Sequence, residues 1–287
     1  MSGVEMDLQH LRDWIGRSEQ HHDEVTAVPV AALSATLDRD EPLPPRGSEL
    51  PPLWHWLYFT PLARHSEIGE DGHPKRGGFL PPVPLPRRMW AGGRLEFHHP
   101  LRVGDEITRD STIADVNIKT GRSGSLVFVT VRHEIRNAKG LAVSEEHDIV
   151  YRDAPAPDAP VPQPQAAPAD AAFWREITPD PVMLFRYSAL TFNSHRIHYD
   201  RSYVTEVEGY PGLIVHGPLI ATLLLDLQRR DKPGARVKRF TFKALRPVFD
   251  IHRFTVCGRP DAGGHGMQLW TRDHEGWLTM QASAEFS

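Results

Sequence analysis

The chain has 287 residues, 40% hydrophobic, 24% charged and 9% aromatic, with 33 Lys+Arg against 37 Asp+Glu for a net charge of −4. That is a folded rather than a disordered composition, long enough for one large domain or two of roughly 100–150 residues each. The charge balance gives no global basic field for nucleic acid. No segment approaches a membrane span, and the lone Cys257 excludes an internal disulfide framework or a cysteine-based zinc cluster and suits a reducing, cytoplasmic compartment.

In chain order, Val4, Leu8, Leu11 and Ile15 recur at three- and four-residue steps among charges, which predicts an amphipathic N-terminal helix rather than an export signal. The prolines of "FLPPVPLPRRMW" (79–90) exclude a long helix there. "GSLVFVTVRHEI" and "AVSEEHDIVYR" then read as hairpin strands rich in β-branched residues. Residues 153–172 carry six prolines without aromatics or periodicity and read as a linker, dividing the chain into domains 1–152 and 173–287. Beyond it, Met183, Leu184 and Phe185 read as a core strand. "GPLIATLLLDLQRR" (217–230) reads as a helix apolar on nearly every side, which must be buried. "GMQLWTRD" and "GWLTMQASAEF" close the chain as further strands.

The halves also match each other. At an offset of 145 residues, 93–113 lies over 238–258, matching Arg94 to Arg239, Phe97 to Phe242, Val103 to Val248 and Asp105 to Asp250. Internal duplication is the simplest account. One buried helix wrapped by a curved antiparallel sheet, twice in one chain, predicts an α+β double hot dog.

The run "YSALTFNSHRIHYDRSYVTEVEGYPGLIVHGPL" (187–219) resembles the hydratase motif of MaoC-type enoyl-CoA hydratases. "GGFLPPVPLPRRMWAGGRLEFHHPLRVGD" (77–105) resembles the N-terminal half of their two-domain relatives, the type 2 hydroxyacyl-thioester dehydratases. The resemblance runs from about residue 50 to the end. It implies a hydro-lyase that adds water to a short enoyl-CoA, branched or dicarboxylic, of the mesaconyl-C4-CoA or itaconyl-CoA type. Coenzyme A belongs to the substrate, so no separate cofactor or metal is expected, and a homo-oligomer is compatible with the family.

Carried over by position, the motif's histidine falls on His198, its asparagine on His195, its proline on Arg196 and its aspartate on Asn193. An amide is no base at neutral pH, so Asn193 is left to orient, and the proton transfers converge on His198. Gly217, at the mouth of an apolar helix, is the expected donor to the enolate oxygen. His195 and His216 are candidate pocket residues, and His195, His198 and His216 together are only a weak metal signal. Arg87, Arg88 and Arg196 are the candidates to clamp a substrate carboxylate. "RHSEIGEDGH" (64–73) lacks the motif's register, so the first half is expected to shape the pocket without supplying a base. Three other readings stay open: a generic 3-hydroxyacyl-thioester dehydratase, a non-catalytic acyl-CoA binder and a thioesterase on the same fold. The last is disfavoured because no carboxylate lies between Pro211 and Leu225.

Overall fold

A computed structural model describes residues 8–121, 124–153 and 163–287. The first half runs β1 (Ser18–Glu24), α1 (Ala27–Thr36), β2 (Arg87–Phe97), β3 (Glu106–Gly121), β4 (Gly124–Asn137) and β5 (Gly140–Arg152). The second runs β6 (Phe173–Ile177), α2 (Pro181–Leu190), α3 (Gly217–Asp231), β7 (Val237–Ala244), β8 (Phe254–Pro260), β9 (Gly266–Arg272) and β10 (Leu278–Phe286). All ten strands join one sheet in the order β1-β3-β4-β5-β2-β7-β10-β9-β8-β6, and the order reads the same in each half from its outer edge inward. This is the double hot dog that the duplication predicts.

The halves meet where β2 pairs antiparallel with β7, Leu95 opposite Phe240. Those two residues stand at the offset that relates the halves in sequence, so a pseudo-two-fold passes through the pair. Two small residues let the strands close. A Cβ on Gly92 would lie 2.6 Å from the Phe242 carbonyl oxygen, and one on Gly93 would lie 2.9 Å from the Phe242 ring.

Helix α3 is the centre of the second half: every residue from Leu219 to Gln228 is buried, as a helix apolar all round requires. Its one buried carboxylate, Asp226, is met by Arg39, Arg175 and Arg230 at 2.7, 3.4 and 2.7 Å. A charge at that depth must be paired, and here the pairing draws the end of α1, β6 and the helix together.

The first half has no such helix. Between α1 and β2 stand only short 3-10 turns, at Trp54–Leu57 and His65–Glu67. Polar groups occupy the core-facing side of the sheet instead. Glu145 on β5 accepts hydrogen bonds from His55 Nε2 and Trp56 Nε1, both at 3.0 Å, which clasps the Trp54–Leu57 turn onto the strands. Burial raises the Glu145 carboxyl, but His147 and His55 outweigh it and hold the group well below the usual carboxylate range.

Two local expectations are corrected, and the linker is seen only in part. Residues 9–14 form a 3-10 turn rather than an amphipathic helix, and Val4 lies outside the described residues. Met183, Leu184 and Phe185 lie in α2, not in a strand, because Asp180 caps a helix there by accepting a hydrogen bond from Met183 N at 2.7 Å. Of the linker, 154–162 lies outside the described residues. Its remainder docks on the second half through Ala166 bridged to Trp277 and through Leu278 N donating to Gln165 O at 2.8 Å. No helix among the described residues is long and apolar enough to cross a membrane.

The seam supplies a test. Phe240 is fully buried opposite Leu95, so Phe240→Ala is expected to cost about 3–5 kcal/mol in urea unfolding. The loss should appear in one shared transition, because the sheet is continuous. A mutant that unfolds in two separated steps would show that the halves are independent.

Candidate active site

The site is built on the chain between α2 and α3. After α2 ends, Asn193 Oδ1 accepts a hydrogen bond from His195 N at 3.0 Å, a local turn that launches the 3-10 segment Arg196–His198. Main-chain hydrogen bonds carry this loop to the strand-like residues before α3: Ile214 N donates to Ile197 O at 3.0 Å. His198 Nδ1 lies 2.7 Å from Ile214 O. A carbonyl only accepts, so Nδ1 carries the hydrogen and Nε2 is left with its lone pair. Burial, and secondarily His73, pushes the His198 imidazole down to about 4 despite the opposing bond to Ile214, so it is neutral at physiological pH.

Gly217 opens α3, and the N–H groups of a helix's first turn have no intrahelical acceptor. A Cβ there would meet only Trp90 O, at 3.8 Å, so the space above the helix mouth is open. His216 departs from the expectation of a pocket residue. It is 1% exposed, stacked behind His198 at 3.7 Å between ring centroids, with Nε2 2.8 Å from Ser188 Oγ. It backs the His198 ring because the chain must turn inward to start a buried helix.

The first half contributes more than shape. Its loop 69–73 packs directly on the motif loop: Ser194 Oγ donates to Gly72 O at 2.5 Å, and Arg196 N donates to Asp71 O at 2.9 Å. This brings in a carboxylate and an imidazole that sequence reasoning missed. Asp71 accepts from His73 N at 2.9 Å and from His73 Nδ1 at 3.0 Å, and the His73 ring lies 3.9 Å from that of His195. His195 in turn stands edge-on to His198 at 5.4 Å. The available signal was an aspartate and a histidine flanking a glycine, which has no periodicity and no motif register.

Burial raises the Asp71 carboxyl, yet the side-chain and main-chain bonds from His73 bring it well below its ordinary value. His195 is driven far below the usual histidine range by burial and then by His73 and His198. His195 and His198 are thus neutral imidazoles, and the ionised Asp71 carboxylate stands beside His73.

The three arginines separate. Arg196 is spent: Nε and Nη2 bind Asp200 at 3.0 and 2.8 Å, Nη1 binds Glu70 O at 3.0 Å, and the guanidinium lies over Tyr203. It holds the loop, with Nε, Nη1 and Nη2 each already bonded within the protein. Arg87 reaches Tyr210 Oη and Glu208 O, both at 3.2 Å. Arg88 points the other way, onto the core-facing side of the sheet, cross-strand from buried Tyr151. It lies near enough to the Tyr151 phenol to oppose the rise that burial gives it, and near enough to depress His73 and His195. Among the described residues no carboxylate pairs with it.

Two triads bring ligand-type atoms within 4.8 Å of one another, Asp71–His73–His195 and His133–Glu145–His147. In the first the carboxylate is already engaged by the His73 N–H groups, and in the second by His55, Trp56 and His147. A hollow of about 820 Å³ beside Trp54, His55, Phe97 and Arg229 opens at the far end of α3, away from His195, His198 and His216.

The junction of the two loops is testable at Gly72. Its φ is +88° and a Cβ would fall 1.8 Å from Ser194 O, so no side chain fits without separating the loops. Backbone strain alone costs on the order of 1–3 kcal/mol. Gly72→Ala is therefore expected to abolish turnover, and steady-state kinetics matching wild type would show that the contact is dispensable.

Comparison with known proteins places this geometry. A family model for hydroxyacyl-thioester dehydratase type 2 matches residues 53–250. The chain is 47% identical over 275 residues to mesaconyl-C(4)-CoA hydratase of Chloroflexus aurantiacus, covering 95% of this chain and 96% of that one. Among solved structures, a MaoC-like dehydratase superposes with a TM-score of 0.70 at 15% identity, covering 95% and 98% of the two chains. A Mycobacterium tuberculosis protein described as having a double hotdog fold superposes with a TM-score of 0.57 at 15% identity, covering 95% and 96%. By family model and by identity along nearly its whole length, the chain belongs to the type 2 hydroxyacyl-thioester dehydratases and is a hydro-lyase of acyl thioesters.

Proposed function

We propose that this enzyme hydrates a short dicarboxylic enoyl-CoA of the mesaconyl-C4-CoA type, and that Arg88 holds the substrate's free carboxylate. The observation that carries the reading is an arginine with no carboxylate partner among the described residues, on the core-facing side of β2 and close enough to His73 and His195 to lower both. In a branched five-carbon diacid of this type the free carboxylate lies one or two bonds from the carbon that water attacks. Its clamp must therefore lie near the proton-transfer groups, and Arg88 lies close enough to His73 and His195 to lower both. A monocarboxylic substrate would leave that guanidinium unpaired in a desolvated site, which is costly. The relative at 47% identity is named for mesaconyl-C4-CoA, which supports the same class. Itaconyl-CoA, a branched isomer of the same size, is the second substrate to test.

In this reading His198 Nε2 accepts the proton of the attacking water, its tautomer held by Ile214 O. The enolate oxygen that forms is received by Gly217 N–H at the positive end of α3, a donor already in place before charge develops. Asn193 shapes the loop through its bond to His195 N, and His195 lines the site between His198 and His73. The reaction asks for no cofactor beyond the coenzyme A carried by the substrate.

Loss of enoyl absorbance, followed with mesaconyl-C4-CoA, itaconyl-CoA and crotonyl-CoA beside an assay for free thiol, separates hydration from thioester hydrolysis. A dicarboxylate should be strongly preferred. Arg88→Met should weaken the enzyme toward the dicarboxylates by on the order of 2–5 kcal/mol in kcat/KM while sparing crotonyl-CoA. Wild-type preference for crotonyl-CoA, or unchanged selectivity in Arg88→Met, would remove the dicarboxylate reading. His198→Ala should lower kcat by about 10²–10⁴-fold on every substrate with the fold intact by circular dichroism.

A further inference from the structure

Water addition across a double bond moves two protons: one leaves the water and one arrives at the α-carbon. The motif loop supplies a single group for both, because its aspartate position is Asn193 and, among the described residues, no carboxylate pairs with His198. A buried imidazole without a counter-ion is a poor place for a proton to rest. The other half of the chain holds what the loop lacks. Asp71 and His73 are bonded at 3.0 Å, Asp71 to Nδ1, which leaves His73 Nε2 on the opposite edge of the ring. The ring packs at 3.9 Å on His195, which itself adjoins His198. The loop is fastened to the motif by Gly72 and by Arg196 N.

We propose that Asp71 and His73, contributed by the helix-less first half, form a second acid–base group of the active site, with His73 transferring the α-carbon proton and Asp71 positioning and stabilising it. This rests on the hydration reading above. In hydration His198 Nε2 takes a proton from water as the water oxygen bonds to the β-carbon, and the π electron pair moves onto the α-carbon and thioester oxygen. His73, which enters hydration as the imidazolium with its Nδ1–H held by Asp71, then gives its Nε2 proton to the α-carbon, restoring the thioester carbonyl. His73 ends neutral and His198 protonated, and return of one proton from His198 to His73, directly or through solvent, resets the pair. The net change is the addition of one water. In dehydration each step reverses, so His73 removes the α-proton and His198 protonates the departing hydroxyl.

Asp71 decides which imidazole carries the shared proton, since a carboxylate stabilises an imidazolium beside it. The groups facing His73 are Asp71 on its own loop, His195 and His198 on the motif loop, Arg88 on β2, and Arg76 on the segment leading to β2. Burial, with Arg88 and Arg76, lowers the His73 imidazole, and Asp71 is what opposes them. Removing the Asp71 charge should therefore move the alkaline limb of the pH–rate profile to lower pH.

The test uses the full-length enzyme with whichever enoyl-CoA the wild type hydrates. His73→Gln should lower kcat by about 10²–10⁴-fold while KM stays within about threefold. His73 is 20% exposed on its side chain, so added imidazole should restore part of the activity of His73→Ala. Asp71→Asn should shift the alkaline limb of kcat/KM to lower pH, a change that a purely structural clip between loops would not produce. Near-wild-type kcat in His73→Gln, or an Asp71→Asn profile superimposed on wild type, would overturn the assignment. Activity that a chelator removes and Zn²⁺ restores would also overturn it, making the cluster a metal site. A wild type that hydrates no enoyl-CoA would instead sink the hydration reading itself, so the two failures are distinguishable.

Discussion

Because β2 hydrogen-bonds to β5 on one side and β7 on the other, its core-facing side looks into both halves of the molecule at once. The pairing tolerates no side chain at Gly92 or Gly93, and it brings Trp90 O beside the first residue of α3. The site inherits its composition from that seam. Arg88 and Trp90 arrive on a strand of the first half, Gly217 and His198 on the second, and neither half could assemble the set alone. The pseudo-two-fold through Leu95 and Phe240 thus brings residues of both halves to one candidate site.

Duplication leaves two seats for a central helix, and only one is filled. Where the second half buries α3, the first half offers a sheet surface bearing Glu145, His147, His133 and Tyr151, covered in part by the Trp54–Leu57 turn. A second helix would have covered this face with apolar side chains. Without it the sheet keeps polar groups at depth, each of which must be satisfied, and Glu145 is satisfied by imidazole and indole N–H groups. The open end of the same face carries Arg88 with Tyr151 behind it.

Charge inside the molecule is managed by two different means. Asp226 and Glu145 are paired at once with cations or N–H donors from distant segments, and so act as fasteners. The histidines around His198 are kept neutral by burial and mutual repulsion, which preserves the lone pairs that proton transfer needs. Asp71 belongs to neither set. It is a carboxylate bound to one imidazole at the edge of a group of neutral ones. The aspartates that the duplication matches, Asp105 and Asp250, fall with the fasteners: Asp105 accepts from Arg102 N, and Asp250 accepts from Leu213 N.

Sequence by itself determined the strands, the buried helix, the duplication and the motif loop, because each is written in local terms. Alternation over a few residues, an apolar run after Gly-Pro, a constant offset and a spacing of residues within 193–198 all survive without knowledge of the partner surface. It also singled out Asn193 as unfit to be a base. It misplaced Met183–Phe185, because a capped helix of ten residues has too few apolar positions to distinguish it from a strand. Arg87, Arg88 and Arg196 could not be ranked, since a guanidinium's role depends on which carboxylates and carbonyls fold up against it. Asp71 and His73 were passed over because nothing local marks them. They lie more than a hundred residues from His195, and only the docking of two loops, with Gly72 pressed against Ser194, puts them beside the reacting groups. Local sequence encodes elements through short-range sterics and periodicity, whereas an active site is a set of long-range coincidences that exists only once the sheet has closed at its seam.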